Sequence, residues 1–151
     1  GWRVGYAVAS PELSVGIRRA HDFITVGAPH PLQEAAVTAL NLPDSYYVYL
    51  RESYQARRDL LFGKVEEAGF KAFKPKGAYY ILTDVAHWLP EYGCADDHEF
   101  AMFLVKEIGV ATVPGSSFFR EPEHRYVRFH FAKKEETLKA AGEKLGRIKK
   151  G

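Results

Sequence analysis

Apolar residues recur along this chain at helical spacing in some stretches and at alternate positions in others. The longest helical stretch begins at Pro43, and its apolar positions follow one another at steps of three, four and seven residues. Such spacing predicts a long helix with a single apolar stripe, which Gly69 ends. The residues of the stripe are Tyr47, Leu50, Tyr54, Leu61, Val65 and Ala68.

Two helices are predicted before the long one. Ser10 is a good capping residue and Pro11 suits the first helical position, so a helix is expected from here to about Val26. The glycine- and proline-rich run 27–31 interrupts the helical pattern, and residues 32–41 form a second, shorter helix.

Two further helices are predicted in the second half of the chain. Asp96 with Glu99 fits a capping box at the start of one of them, and Gly109 ends it. The other lies at the end of the chain, and one face of it is apolar. The residues of that face are Leu138, Ala141, Leu145 and Ile148.

Strands are predicted where apolar positions alternate or where β-branched and aromatic residues gather. Few of these segments alternate with helices as the strands of a parallel sheet do, so the sheet is expected to be largely antiparallel. The chain is therefore predicted to be a mixed α/β protein with helices before and after a small sheet. The predicted strands are 3–9, 70–74, 78–85, 110–113 and 125–131.

Composition and charge limit the kinds of protein that this chain can be. The chain has 151 residues, 46% of them hydrophobic, which is enough for an ordinary domain with a buried core. The net charge is +2, from 21 basic and 19 acidic residues, and such a balance indicates neither a nucleic-acid nor a membrane partner. Cys94 is the single cysteine, so no internal disulfide forms and a reducing, cytoplasmic location is expected.

Several kinds of site are not indicated by the sequence. It contains neither the glycine-rich fingerprint of dinucleotide sites nor a phosphate-binding P-loop, and it has no G-x-S-x-G nucleophile motif. The six histidines show no ligand-like spacing with one another or with Cys94, so no metal site is expected. Asp96 and Asp97 could form a catalytic acid pair, but the start of a helix accounts for them better.

Two arginines are the candidate binding residues. Arg3 follows Gly-Trp at the start of the chain, and Arg128 lies in the middle of a predicted strand, on the side opposite Phe129 and Phe131. The planar guanidinium matches a carboxylate or a phosphate through two parallel hydrogen bonds. For each arginine alone, a structural ion pair or a solvent-facing strand position explains the residue better than a binding role does.

A resemblance to a known family favours a binding role for the two arginines over a structural one. The segment Gly-Trp-Arg-Val-Gly-Tyr around Arg3 resembles the G-x-R-x-G segment of class I aminotransferases of fold type I, enzymes that use pyridoxal phosphate (PLP). Further segments resemble the same family in the same order, so the resemblance covers essentially the whole chain. They are 31–35, 54–59 with Gly69-Phe70, 75–80, 109–118 and 126–132.

The resemblance implies both an architecture and roles for the two arginines. Residues 1–42 would be the end of the large PLP-binding domain, and residues 43–151 the C-terminal, α+β small domain. By matching position, Arg3 would bind the phosphate of PLP, and Arg128, rather than Arg125, would bind the α-carboxylate of the substrate. The Pro-Leu-Gln-Glu segment at 31–34 most resembles the branch of the family that contains kynurenine, glutamine and methionine aminotransferases.

The resemblance also implies an activity that this chain does not complete. The family transfers an amino group between an L-amino acid and a 2-oxo acid, usually as a homodimer. Its Schiff-base lysine stands a few residues before the G-x-R-x-G segment, so no catalytic residue is expected here and the chain alone is expected to be an inactive fragment. Two alternatives stay open: a fragment of a PLP-dependent C–S β-lyase, and a non-catalytic binding or dimerisation module.

Overall fold

The structure, a computed structural model, describes residues 2–121 and 123–148. These residues form two compact units, which divide between Val48 and Tyr49. The division falls within the long helix α3, Asp44–Glu67, whose existence confirms the helix predicted from Pro43 onward. The expected assignment of 1–42 to a large domain and 43–151 to a small domain stays a prediction.

The first unit contains the two predicted N-terminal helices, α1 (Pro11–Thr25) and α2 (His30–Leu40). The Ser10 hydroxyl caps α1 by accepting a hydrogen bond from a backbone N–H in its first turn, as the sequence predicts. Tyr47, in the first turns of α3, donates a hydrogen bond from its hydroxyl to the carbonyl of Ala39 in α2.

The first unit also contradicts one prediction, the strand at 3–9. These residues belong to no strand in the described part of the chain. Arg3 has a φ of 55°, in the left-handed region that a regular strand does not use. A strand also needs a neighbour for its backbone hydrogen bonds, and the apolar pattern alone does not reveal whether a neighbour exists.

The second unit is built on a four-stranded sheet. Its strands are β1 (Lys71–Phe73), β2 (Tyr80–Asp84), β3 (Val113–Pro114) and β4 (Tyr126–His130), arranged in the order β1-β2-β4-β3. Every neighbouring pair is antiparallel, which confirms the predicted sheet type.

Helices follow β2 and β4 along the chain. A short helix, α4 (Trp88–Glu91), follows β2 and was not predicted from the sequence. The Asp96 carboxylate caps α5 (Asp97–Phe103), accepting the Glu99 N–H at 2.9 Å. A π-helical turn (Leu104–Ile108) then leads to Gly109, and the predicted C-terminal helix is α6 (Glu135–Leu145). None of the helices in the part of the chain that the structure describes has the length and apolar character needed to cross a membrane.

The core of the second unit lies on one face of the sheet. Alternate residues of β2 and β4 are buried there, among them Ile81, Val127 and Phe129. Helix α3 contributes Leu61 and Val65, both at most 2% exposed. Burying one such side chain stabilises the fold by roughly 1.5–3 kcal/mol, so this cluster is the main source of the unit's stability. Other core residues are Phe70, Val85, Trp88, Phe100, Leu104, Phe131, Leu138, Leu145 and Ile148.

Only part of the predicted stripe on α3 is buried. Leu61, Val65 and Ala68 are core residues, and Tyr54 is partly buried against them. Tyr47 and Leu50, at the start of the same stripe, are 42% and 37% exposed.

Gly115 follows β3 and starts a 3₁₀ turn (Gly115–Phe118) that lies directly against β4. A Cβ atom at Gly115 would come within 2.6 Å of the Cβ of Tyr126 and 2.9 Å of its carbonyl oxygen. The turn can pack this closely only because residue 115 has no side chain.

We expect the substitution Gly115→Ala to lower the free energy of unfolding by about 1–3 kcal/mol, because the added methyl overpacks a rigid backbone contact. Gly63→Ala is the matched control, since Gly63 lies within α3 and has nothing within 4 Å of a Cβ. That control should stabilise the chain by roughly 0.5–1 kcal/mol through helix propensity. Urea denaturation measures both changes, and equal effects at the two glycines would contradict the close packing.

Candidate functional site around Arg128

The candidate site is centred on Arg128, the middle residue of β4. Its neighbours Val127 and Phe129 are buried in the core, so the alternation of the strand places Arg128 on the other face of the sheet, as predicted. Arg128 is paired with Leu82 on one side and with Val113 on the other. Its side chain is therefore rooted in the centre of the sheet and not in a loop.

We call the non-core side of β2 and β4 the outer face. Its residues are half-buried in most positions, unlike those of a fully solvated sheet surface. The Arg128 guanidinium accordingly lies on a surface that is mainly aromatic and aliphatic. The outer face consists of Tyr80, Leu82, Asp84, Tyr126, Arg128 and His130.

Two aromatic rings flank the guanidinium of Arg128. Its Cζ lies 4.5 Å from the ring centroid of Tyr80 and 4.0 Å from that of Phe118. Tyr80 belongs to β2, while Phe118 ends the turn that follows β3, so the rings approach from the two strands that flank β4. Contacts of this kind attract a cation to the face of the ring and restrict its movement.

The guanidinium of Arg128 makes neither an ion pair nor a side-chain hydrogen bond within the part of the chain that the structure describes. Aromatic faces do not use the in-plane N–H donors of arginine, of which there are five. The side chain is thus held in place while its donors stay available. A planar anion that accepts two parallel hydrogen bonds fits this arrangement.

Arg125, three residues before Arg128 in the sequence, forms an ion pair within the protein. Its guanidinium donates a hydrogen bond to the carboxylate of Asp84, the last residue of β2. Burial raises the pKa of the Asp84 carboxyl, but the hydrogen bonds from Arg125 and from the Ala86 N–H outweigh that effect and bring the pKa below its usual value. Arg125 is therefore a structural residue, whereas the guanidinium of Arg128 forms no ion pair with the residues that the structure describes.

His130 lies two residues beyond Arg128 on the outer face. Partial burial lowers the pKa of its imidazole, and the positive charges of Lys133 and Arg128 lower it further. Since the ordinary pKa of histidine is about 6.5, His130 is neutral at pH 7. The positive charge of the site therefore comes from Arg128.

Asp97 supports the turn that carries Phe118, a role that no local sequence pattern predicts. Its carboxylate is fully buried, and the Oδ2 atom accepts the backbone N–H of Ser116 at 2.8 Å. The sequence interpretation of Asp97 as an acid at a helix start is correct for its position, since it is the first residue of α5. Its contact with a turn 19 residues away leaves no local signal.

Arg3, the other predicted site residue, lies in the first unit. Its side chain is exposed, and it forms no ion pair with any carboxylate that the structure describes. Its φ of 55° distinguishes it from an ordinary extended residue. Backbone strain of this kind is often retained at binding sites, so the position is compatible with a binding role.

Comparison with known proteins identifies the family. The family of class I and II aminotransferases matches residues 1–145, and this chain belongs to it. Enzymes of this class depend on pyridoxal phosphate.

The chain is similar to several aminotransferases of known sequence. It is 36% identical over 149 residues to the methionine aminotransferase of Escherichia coli (strain K12), covering 98% of this chain and 38% of that protein. It is 30% identical over 168 residues to a kynurenine–oxoglutarate transaminase of Dictyostelium discoideum, covering 99% and 39%. The predicted likeness to methionine and kynurenine aminotransferases is thereby confirmed.

Solved structures give the same result. The crystal structure of YbdL from Escherichia coli, which identified a methionine aminotransferase function, matches 97% of this chain and 38% of its own with a TM-score of 0.80 and 36% identity. The N-succinyldiaminopimelate aminotransferase of Mycobacterium tuberculosis matches 99% and 38% with a TM-score of 0.82 and 33% identity. This chain thus spans about 38% of the length of these relatives.

The pair of Asp84 and Arg125 makes a testable prediction about acid stability. The folded-state pKa of Asp84 is lowered, so its ionised form stabilises the fold above the unfolded-state value of about 3.9, and this stabilisation is lost as the pH falls through the folded pKa. The free energy of unfolding of Asp84→Asn should therefore lie below that of the unmodified chain at pH 7, and the gap should narrow below about pH 4.

Denaturation at a series of pH values measures this gap. The control is Glu135→Gln, which breaks the solvent-exposed ion pair of Glu135 with Lys139 in α6. Exposed pairs contribute about 0–1 kcal/mol, so this variant should differ little from the unmodified chain. A gap for Asp84→Asn that stays constant from pH 7 to pH 3 would contradict the prediction.

Proposed function

We propose that this chain is the C-terminal part of a PLP-dependent aminotransferase, which transfers an amino group between an L-amino acid and a 2-oxo acid. In this proposal residues 1–42 end the large domain and residues 43–151 form the small domain. Arg128 binds the α-carboxylate of the substrate, and Arg3 binds the phosphate of PLP. The observation that carries the proposal is the state of Arg128: held between two rings, with its hydrogen-bond donors unused.

The residues of the chain fit both anions. Arg3 and Arg128 each present a guanidinium that pairs with no described carboxylate, and this group suits phosphate and carboxylate oxygens. When bound, PLP supplies the electron sink that makes removal of the substrate's α-proton feasible. No residue of this chain is assigned to the proton transfer.

The role of Arg128 in this proposal is orientation as well as affinity. A single point charge would hold a carboxylate but leave it free to rotate. Two parallel hydrogen bonds from arginine fix the orientation of the carboxylate. The bond that breaks at the α-carbon is then fixed in direction by the protein. Positioning of this kind contributes to rate as well as to binding.

The proposal also covers the oligomeric state of the whole enzyme and its cellular compartment. Family members usually form homodimers, and we propose the same assembly for the whole protein. The single cysteine, Cys94, has its thiol pKa raised mainly by burial, which suits an unreactive thiol in a reducing compartment such as the cytoplasm.

In the whole enzyme, we expect Arg128→Lys to lower kcat/KM for the amino acid about 10- to 100-fold, the effect of losing roughly 1.5–3 kcal/mol of charged hydrogen bonding. The same variant should hardly change kcat/KM for the corresponding amine, which has the side chain and amino group of that amino acid but no α-carboxylate. Arg125→Lys is the matched control and should leave both values near those of the unmodified enzyme, because the guanidinium of Arg125 is committed to Asp84. An unchanged preference for the amino acid over the amine in Arg128→Lys would overturn the assignment.

The 151-residue chain by itself is expected to hold PLP only weakly. In the family that the chain resembles, the lysine that bonds to the cofactor stands before the segment matched by Arg3. Incubation with PLP followed by dialysis should therefore leave no visible absorbance from the cofactor. Absorbance that survives dialysis would show that a lysine of this chain bonds to PLP, and the proposed division of roles would be wrong.

A further inference from the structure

Phe118 is a large aromatic residue that the core does not explain. Its side chain is 54% exposed, whereas the aromatic residues of the core are at most 3% exposed. Its ring nevertheless lies 4.0 Å from the Cζ of Arg128, closer than the ring of Tyr80. The contact that Phe118 makes is therefore with the candidate binding residue and not with the core.

The position of Phe118 is set by a buried carboxylate. Phe118 ends the short turn that starts at Gly115, and the second residue of this turn, Ser116, donates its backbone N–H to Asp97. Asp97 is 0% exposed, and its other oxygen, Oδ1, has no hydrogen-bond partner in the described residues but lies 3.6 Å from Nδ1 of His124. Hydrogen bonds to a carboxylate are short and strong, so this bond ties the turn to the start of α5.

The ring contact has a consequence for ligand binding. A free arginine side chain samples many rotamers, and it loses that freedom when it binds. A guanidinium already held against two rings has lost much of this freedom beforehand. Its N–H groups are then restricted in orientation before any ligand arrives.

We propose that Phe118 is a positioning residue for Arg128, and that Asp97 holds Phe118 in place through the N–H of Ser116. This inference rests on the proposed role of Arg128 in binding the α-carboxylate. It assigns to the turn Gly115–Phe118 a part in substrate selection, although neither Phe118 nor Asp97 need touch the substrate.

The first test compares Phe118→Leu with Phe119→Leu in the whole enzyme. Phe119 is the adjacent residue, is 39% exposed, and stacks on Tyr126 instead of Arg128. Phe118→Leu should raise KM for the amino acid about two- to fivefold, the range of one exposed cation–π contact, and leave kcat/KM for the corresponding amine unchanged. Phe119→Leu should change neither value. A loss of structure would lower activity towards the amine as well. A higher KM for the amino acid with an unchanged kcat/KM for the amine therefore distinguishes a positioning role from a structural one.

A binding measurement gives a second readout that needs no turnover. Calorimetric titration with 3-phenylpropionate, a carboxylic acid without an amino group, should show two- to fivefold weaker binding for Phe118→Leu than for the unmodified enzyme. Equal affinity in these two proteins would overturn the role of Phe118. If Arg128→Lys also bound the acid with unchanged affinity, the proposed function of Arg128 would fail instead, so the two failures are distinguishable.

A double-mutant cycle tests the step from Asp97 to Phe118. Asp97→Ala should weaken binding of the acid by the same factor as Phe118→Leu, and the double variant should be no weaker than either one. Asp97→Asn keeps an oxygen that can accept the N–H of Ser116 and should restore most of the affinity. Should Asp97→Ala not fold, Asp97→Ser serves in the same cycle. Effects that multiply in the double variant would show that Asp97 does not act through Phe118.

Discussion

The pairing of β2 with β4 is the constraint on which the second unit depends. Five residue pairs join these strands, from Tyr80 with His130 to Asp84 with Tyr126. Because side chains alternate between the faces of a strand, this register decides at once which residues enter the core and which reach the outer face. A slip of one residue would bury Arg128 and expose Phe129. The stability of the core therefore keeps Arg128 on the outer face of the sheet.

The same strand shows how neighbouring residues of one type acquire different roles. Arg125 and Arg128 are three residues apart, but Arg125 meets the Asp84 carboxylate and Arg128 meets two aromatic rings. An arginine paired with a carboxylate has its charge compensated within the protein and uses part of its hydrogen-bonding capacity there. An arginine packed on rings is equally ordered and yet keeps that capacity, which is the combination that a binding site requires.

The parts of this arrangement that could be predicted from sequence are those with a local cause. The alternation in 125–131 placed Arg128 opposite Phe129, and the caps at Ser10 and Asp96 marked helix starts, because each signal lies within a few residues of its effect. The contacts of Asp97 and Phe118 could not be predicted, because they join segments brought together only by the folded chain. The wrong strand at 3–9 has the same origin, since strand formation depends on a partner elsewhere.

The two rings beside Arg128 also bear on the shape of anion that the site accepts. The rings of Tyr80 and Phe118 lie 4.5 and 4.0 Å from the Cζ of Arg128, so they take up part of the space around the guanidinium. A carboxylate is flat and can lie in the plane of the guanidinium with both oxygens facing N–H donors. A tetrahedral group, such as a sulfonate or a phosphonate, carries an oxygen out of the plane and towards a ring. If Arg128 binds a carboxylate as proposed, the rings of Tyr80 and Phe118 would select the anion by its shape as well as by its charge.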